Sequence, residues 1–418
     1  MQGWIPVVLV ALSLGDEIIS RSRMGPDFGV YYTAAVRFLA GEPLYRLSDG
    51  HLCFKYSPAA AALLSPFAAL PGRSAQVVFN VASALSLLVF MRFAASMPGA
   101  PRTAWGVTAG ALYAMPLYTL MFFFGQSDAI LLALAMASET QAERRPWLSG
   151  ALWAITILFK PPMAILLAVA IAYRQWKRVA WAAVWLVALL AGSILRYGIH
   201  VGVDQLAAWR RLLATTTPPL LCDSPNQSAY AVACTLGLDP ANAVSFYAGV
   251  AVVGGGAALA LAAAVARIAR RDRWSGRLLA FSTAVYLAAF LSPLGWRVNL
   301  LAALPLVHVV LGLARDASRP WLRVACTGVV AIRIGVGLLS GSALLRGRPA
   351  YALAMGRFWG LAALAIALLA AWGAAIEWSA APSRRTYRRP QPHLHGALSD
   401  GSRDQEVAGP DAGAGLRR

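Results

Sequence analysis

Long apolar runs alternate along the chain with short breaks that carry charges, proline or glycine. A helix needs roughly 20 apolar residues to cross the hydrocarbon core of a bilayer. The pattern predicts about twelve spans, near residues 3–19, 74–94, 104–122, 127–142, 147–160, 161–173, 179–199, 243–266, 278–292, 298–313, 321–340 and 357–378. The runs at 147–160 and 161–173 are short for a full crossing and predict broken helices that line a cavity. The sequence therefore predicts an all-α polytopic membrane protein.

The composition excludes a water-soluble globule. Apolar residues make up 59% of the chain and charged residues only 13%, against roughly 25% charged in an ordinary soluble domain. The net charge of +19 indicates basic cytoplasmic loops and contact with anionic membrane lipids rather than with nucleic acid. We predict one transmembrane domain at residues 1–380. Residues 381–418 are rich in Arg, Pro and Gly, and this composition predicts a disordered basic cytoplasmic tail.

The distribution of Lys and Arg predicts an orientation. Residues 1–14 carry neither, and no small-residue cleavage site follows, so the N-terminus predicts an uncleaved first span. Most basic residues fall on the cytoplasmic side when both termini are placed there. This puts a long first loop on the extracytoplasmic side of the plasma (inner) membrane. Cys222 and Cys234 share another outer loop, where an oxidising compartment permits a disulfide; two unpaired thiols are the alternative.

Unusual polar residues gather on the predicted outer side, in loops or at helix ends: Asp27, Lys55, Gln126, Asp128, Lys160, Asn226, Gln227 and Arg297. Lys160 lies in an apolar stretch, where a charge costs several kcal/mol unless it meets water, a partner or an anionic ligand. The alternative for Lys160 is a side chain that extends to the interface. Arg297 follows Trp296 and is either a second cation for a phosphate or an interfacial anchor.

Two aspartates admit both a local and a chemical interpretation. Asp27, in Gly25-Pro-Asp-Phe-Gly-Val-Tyr-Tyr32, is either the N-cap of the next helix or a general base that removes a proton from an acceptor hydroxyl. Asp128, in Gly125-Gln-Ser-Asp128, is either the N-cap of the following span or a substrate-binding residue. No Asp, Glu, His or Cys cluster has metal-ligand spacing, so we expect no metal and no cofactor.

These segments, in this order, resemble glycosyltransferase family 87, the polyprenol-phosphate-mannose-dependent mannosyltransferases of the GT-C superfamily. The matching pieces are Asp27-Phe-Gly-Val-Tyr-Tyr32, Gly41-Glu-Pro-Leu-Tyr45, Tyr56-Ser-Pro-Ala, Ser65-Pro66, Leu70-Pro71, Gly125-Gln126, Lys160-Pro161, Asn226-Gln-Ser228 and Leu291-Ser-Pro293 with Trp296. The family usually has a histidine shortly after this tryptophan, whereas the chain reads Trp296-Arg-Val-Asn299. A role of that histidine is therefore not expected here.

The resemblance implies a GT-C fold and an inverting transfer of a hexose, mannose by preference. The donor would be a polyprenyl phosphate sugar, and the acceptor a hydroxyl of a glycolipid or glycan at the outer face. Asp27 would be the catalytic base, and Lys160 and Arg297 would hold the phosphate. The other implied substrate-binding residues are Tyr31, Tyr32, Lys55, Gln126, Asp128, Asn226 and Gln227. Asn226-Gln-Ser228 also matches a glycosylation sequon.

Two other functions remain open at this point. Outer cations and a cavity between short helices would also suit a transporter or lipid flippase, which predicts a site near the bilayer midplane. A non-catalytic scaffold for envelope assembly is the third possibility. The sequence also leaves open whether residues 57–70 form a span, a re-entrant helix or an interfacial helix, although Pro58 and Pro66 favour the last two.

Overall fold

The computed structural model describes residues 4–20, 24–340 and 358–380, and within these ranges every regular element is helical. One isolated β-bridge joins Asn226 to Trp296. The predicted tail at residues 381–418 lies outside the described residues.

The described α-helices follow one another with short connections. In chain order they are α1 (Trp4–Ser20), α2 (Pro26–Ala40), α3 (Pro58–Leu64), α4 (Gly72–Ala95), α5 (Ala104–Phe124), α6 (Asp128–Gln141), α7 (Pro146–Phe159), α8 (Leu166–Ala172), α9 (Trp176–Tyr197), α10 (Ile199–Thr216), α11 (Ala229–Thr235), α12 (Ala243–Val250), α13 (Gly256–Ala269), α14 (Arg273–Phe290), α15 (Leu304–Asp316), α16 (Pro320–Ser340) and α17 (Phe358–Ala380). A π-helical turn at Ala251–Gly255 joins α12 to α13, and 3₁₀ segments occupy Leu47–Leu52, Ser65–Ala69, Pro161–Ile165, Pro218–Leu220 and Arg297–Ala303.

Seven helices among the described residues are long and apolar enough to cross a membrane: Gly72–Ala95, Ala104–Phe124, Trp176–Tyr197, Ala243–Ala269, Arg297–Asp316, Pro320–Leu338 and Phe358–Trp378. The protein is therefore a polytopic membrane protein, as the sequence predicts. Each predicted span coincides with a helix, but the count of twelve stays a prediction because several of these helices are short. With 14 residues each, α6 and α7 extend about 21 Å, less than the roughly 30 Å of the hydrocarbon core.

Residues 58–69 form a short apolar helix, Pro58–Ala69. Ser57 begins it, because its side chain accepts a hydrogen bond from the Ala60 backbone N–H. The helix changes to a 3₁₀ turn at Ser65-Pro66, where a proline cannot continue the α-helical hydrogen bonding. Its length of about 18 Å is too small for a full crossing, which leaves the re-entrant or interfacial arrangement.

Burial separates central from peripheral helices. In the segment Arg297–Asp316, 89% of the residues in its most apolar stretch are buried, so this segment lies at the centre of the bundle. In the span Trp176–Tyr197, only 17% of the residues in the corresponding stretch are buried. Val187 and Leu195 on this span are exposed. Because an apolar side chain exposed on a membrane helix faces lipid rather than water, α9 forms part of the lipid-facing surface.

A buried ion network joins three helices at one end of the bundle. The carboxylate of Glu139 on α6 accepts hydrogen bonds from Arg178 of α9 and Arg277 of α14, each at 2.5 Å. Arg178 is fully buried and also lies over the ring of Trp153. Arg277 reaches the exposed Glu143 as well. One buried carboxylate thus balances two arginines, and each partner depends on the others because an unpaired buried charge is unfavourable.

We predict that Glu139→Gln strongly destabilises the protein. The amide keeps the size of the side chain but leaves the fully buried Arg178 without its counter-charge, while Arg277 keeps only the exposed Glu143. Breaking a buried pair costs about 3 to 5 kcal/mol. The midpoint of thermal unfolding, measured in nanodiscs, should fall clearly. Glu143→Gln is the matched control, because this side chain is 66% exposed and should change the midpoint little. Equal midpoints for the two variants would contradict the prediction.

Candidate active site

Two glycines bring the start of α2 against the end of α5. Gly125 ends α5 with φ of 70°, the left-handed conformation that favours glycine. A Cβ atom there would lie 2.5 Å from the Cβ atom of Phe28. A Cβ atom on Gly25 would likewise lie 2.6 Å from the carbonyl oxygen of Phe123. Only glycine permits this approach, which places Gln126 beside Asp27.

Asp27 occupies the first turn of α2 but does not cap it. The N-cap is Gly25, which provides no side-chain hydrogen bond, so the capping interpretation of Asp27 is wrong. Its Oδ2 atom instead accepts a hydrogen bond from the Gln126 amide. Burial raises the pKa of Asp27, although the Gln126 hydrogen bond opposes the shift. A carboxylate with a raised pKa takes up a proton more readily, which suits a general base.

Asp128 has two side-chain partners and is not a cap either. The N-cap of α6 is Ser127, and Asp128 is the first helical residue. Its Oδ1 atom accepts hydrogen bonds from Lys160 Nζ at 2.6 Å and from Asn299 Nδ2 at 2.8 Å. The partner of Lys160 is thus a protein carboxylate, and the interpretation of Lys160 as a side chain that merely extends to the interface is wrong.

The sequence around Lys160 explains its position. Lys160 follows the last residue of α7 and has an extended backbone, with φ of −130° and ψ of 90°. The next residues are Pro161 and Pro162, and a residue before proline is disfavoured in the helical conformation. The helix therefore breaks at Lys160 and continues as a 3₁₀ turn, which leaves the lysine beside the cavity.

Gln126, Asp128 and Lys160 line one cavity of about 620 Å³, whereas Asp27 is not one of its lining residues and adjoins it through Gln126. Its polar lining residues, called here the polar wall, are Lys55, Tyr56, Gln126, Asp128, Lys160 and Asn299. The apolar and aromatic lining residues, called the apolar wall, include Trp209, Leu213, Tyr230, Tyr247, Pro293 and Trp296. The lining residues Ala214, Pro218 and Tyr247 are also exposed at the molecular surface. The cavity is therefore amphipathic and opens on its apolar side. It lies beside the break between the two short apolar runs, as the sequence predicts.

Lys55 is the second cation of the cavity. Its Nζ atom donates a hydrogen bond to the carbonyl oxygen of Thr216 at 3.2 Å, and its own carbonyl accepts one from Trp209. No carboxylate among the described residues pairs with it. Burial lowers the pKa of Lys55, as expected for a cation removed from water without a counter-charge. Lys55 therefore offers an uncompensated positive charge to a ligand.

The two predicted tyrosines differ in their environment. Tyr31 is buried, and its hydroxyl lies 2.9 Å from the hydroxyl of Tyr56, which lines the cavity. Tyr32 donates a hydrogen bond to the carbonyl oxygen of Leu70 and is not one of the lining residues. Tyr31 thus contacts the cavity through Tyr56, whereas a substrate contact of Tyr32 stays a prediction.

Asn226 and Gln227 are fully buried and bound to backbone groups. Asn226 Nδ2 donates to Pro293 at 2.8 Å, and its Oδ1 accepts from the Gly295 N–H at 3.0 Å. Gln227 Oε1 accepts from the Gly360 N–H at 2.8 Å. These contacts hold the loop against the segment that contains Pro293 and Trp296. A substrate contact of either residue stays a prediction, and a glycan on Asn226 is excluded because its side chain is enclosed.

The same loop contains a disulfide between Cys222 and Cys234, whose Cα atoms are 5.6 Å apart. The alternative of two unpaired thiols is therefore wrong. Leu221 and Tyr230, which line the cavity, lie beside and within the segment that the disulfide closes. The disulfide and the Asn226 contacts together fix one wall of the cavity.

Arg297 is partly buried at the start of a 3₁₀ segment and is not one of the lining residues. Its predicted phosphate contact remains untested. Sequence reasoning did not select Asn299, Tyr56 or Gln76, whose amide oxygen accepts from the Gly25 N–H. The sequence did contain a signal for two of them. Asn299 is a lone amide before an apolar run, and Gln76 is one of several polar residues at helical spacing in α4.

The fold and the cavity define a polytopic, all-helical membrane protein with a charged, amphipathic site. A comparison with protein families matches residues 54–293 to glycosyltransferase family 87. This range covers more than half of the chain, and the protein belongs to that family and is a membrane glycosyltransferase. Comparisons with curated proteins and with solved structures give no match. Asp27 precedes the matched range, and Trp296, Arg297 and Asn299 follow it.

We predict that a thiol reagent labels two cysteines in the unfolded, unreduced protein, because Cys53 and Cys326 are the free thiols. Reduction should raise the number to the full four cysteines of the chain. In the Cys222→Ser variant the released Cys234 adds one labelled thiol before reduction. Mass spectrometry of the labelled protein measures each count. Four labelled thiols in the unreduced native sequence would contradict the pairing.

Proposed function

We propose that the protein transfers a hexose, mannose by preference, from a polyprenyl phosphate sugar to a hydroxyl of a glycolipid or glycan. The reaction takes place at the extracytoplasmic face of the plasma membrane and inverts the anomeric centre. The observation that carries this proposal is the amphipathic cavity beside Asp27. Its polar wall suits a sugar phosphate, and its apolar wall, open at Ala214, Pro218 and Tyr247, suits a prenyl chain.

Asp27 is the proposed general base. The acceptor oxygen attacks the anomeric carbon while the bond between that carbon and the phosphate oxygen breaks, and both electrons of this bond leave with the polyprenyl phosphate. Asp27 takes the hydroxyl proton as the new bond forms. The Gln126 hydrogen bond holds one carboxylate oxygen and leaves the other for the acceptor. A single displacement from the opposite side gives inversion.

Lys55 is the better candidate for the phosphate. The phosphate gains negative charge as the sugar leaves, and a cation fixed in a site of low dielectric constant stabilises that charge strongly. The charge of Lys160 is already balanced by Asp128, whereas Lys55 has only a backbone acceptor. Both lysines line the cavity, so Lys160 contributes to the local field while Lys55 provides the net charge.

The distribution of charge and the disulfide support the proposed orientation. The Cys222–Cys234 disulfide belongs to the cavity wall, and structural disulfides persist in oxidising compartments outside the cytoplasm. The ion network of Glu139, Arg178 and Arg277 lies at the other end of α6. Arginines at helix ends are typical of the cytoplasmic side. Family membership favours transfer over transport, although a flippase would also use an amphipathic cavity.

We predict that Asp27→Asn lowers the transfer rate about 10²- to 10⁴-fold, the usual contribution of a general base. The assay measures radiolabelled mannose transferred from polyprenyl phosphate mannose into lipid by membranes with matched protein levels. Asp204→Asn, an exposed carboxylate on α10, is the control and should retain the native rate.

The pH profile provides a second criterion for Asp27. Because its pKa is raised, the native rate should fall as the pH drops through a value above the ordinary 3.9 or so of aspartate, where the carboxylate becomes protonated. Asp27→Asn should lack this acid limb. A native rate in the variant, or the same acid limb in both proteins, would refute Asp27 as the base.

We predict that Lys55→Met raises the KM for the donor at least tenfold, since it removes the uncompensated cation of the cavity. Steady-state rates over a range of donor concentrations measure the change. Lys177→Met is the matched control, because Lys177 is exposed on α9 and does not line the cavity. An unchanged KM in Lys55→Met would assign the phosphate to other residues.

A further inference from the structure

Two hydrogen-bond acceptors in the polar wall of the cavity lack donors from the protein. Asp128 accepts from Lys160 and from Asn299 on the same atom, Oδ1, and no described residue donates to its Oδ2 atom. The amide oxygen of Gln126 is enclosed by the surrounding protein and is also without a donor in the described part of the chain. Both side chains line the cavity. Because buried polar groups are normally satisfied, these acceptors indicate a ligand that donates hydrogen bonds.

We propose that Gln126 and Asp128 form a sugar-binding subsite, in which Gln126 Oε1 and Asp128 Oδ2 accept hydrogen bonds from hydroxyl groups of the transferred hexose. The inference rests on the proposed function and adds to it the residues that select the sugar. The two acceptors are separated by one residue, at the start of α6, so one rigid segment presents both of them.

The charge balance favours hydroxyl groups over a cation. Lys160 at 2.6 Å already compensates the Asp128 carboxylate, so the subsite exerts little net attraction on a second positive group. A hydroxyl group needs only a free acceptor atom, which Oδ2 provides. Two donors and the helix start hold Asp128 in place before the sugar arrives, so little conformational freedom is lost on binding.

Gln126 connects this subsite to the proposed base. Its amide nitrogen donates to Asp27, while its oxygen faces no protein donor. One side chain thus contacts the base and, in the proposal, the sugar. A hexose bound to the Gln126 oxygen is held near Asp27, where the acceptor hydroxyl loses its proton. Gln126 is therefore a positioning residue for Asp27 as well as a sugar contact.

The test measures binding of a defined probe to the full chain in nanodiscs. The probe is farnesyl phosphate mannose together with its series of monodeoxy analogues, each lacking one sugar hydroxyl. Calorimetric titration without acceptor gives the Kd of each compound for the native protein, for Asp128→Asn and for the exposed control Asp204→Asn. Transfer to lipid acceptor is measured separately with the same compounds.

The expected result is a coupling between one hydroxyl and Asp128. Loss of that hydroxyl should raise the Kd of the native protein at least tenfold, as expected when a hydrogen bond to a charged group is removed. In Asp128→Asn the same deletion should have a much smaller effect, while Asp204→Asn keeps the native pattern. If Asp128→Asn fails to fold, Gln126→Leu should remove the selectivity for a neighbouring hydroxyl.

Each contrary outcome has a distinct meaning. If Asp128→Asn weakens binding of the parent compound and all analogues by the same factor, Asp128 has only a structural role and the subsite is refuted, even where transfer is intact. Hydroxyl-dependent binding without any transfer would uphold the subsite and contradict the proposed function. No binding of the parent compound by the native protein would overturn both.

Discussion

The ion pair between Asp128 and Lys160 is the contact on which the cavity depends. It joins the first residue of α6 to the break after α7, and Asn299 extends it to the 3₁₀ segment before the central α15. Removing either charge would leave the other partly buried and unpaired, which is more costly than losing the pair as a whole. The pair therefore fixes three separate chain segments around the space that receives the substrate.

Buried charge is also the reason that α6 has a defined place in the bundle. Asp128 at its start binds Lys160 at the break after α7, and Glu139 near its end binds arginines of α9 and α14. Glu139 lies eleven positions after Asp128, about 17 Å along the helix axis. Apolar packing alone tolerates sliding of one membrane helix against another, whereas two charged contacts at opposite ends allow one register. Because Asp128 is part of α6, the polar wall of the cavity is held in a fixed position as well.

The sequence predicts the helices well because apolar runs and their breaks depend only on residues that are close together along the chain. Every run from residue 3 to residue 378 coincides with a helix, and the Pro161-Pro162 break lies at the cavity. The partners of individual polar residues depend on distant segments and escape such reasoning. Asp128 has the local features of a cap, yet it binds Lys160 and Asn299, which are 32 and 171 residues away. Asn299 is a lone amide before an apolar run, and its contact with Asp128 becomes visible only in the fold.

The short length of α6 and α7 has a consequence for the surrounding lipid. Each spans about 21 Å, roughly 9 Å less than the hydrocarbon core, while neighbouring helices such as α4 with 24 residues are long enough to cross it. Where such short helices meet lipid, the bilayer thins, or headgroups and water follow the protein surface inward. In the proposed orientation, the polar wall then lies below the general plane of the headgroups. For the proposed lipid phosphate donor, membrane thickness thereby becomes a physical variable that acts on the depth at which the phosphate is held.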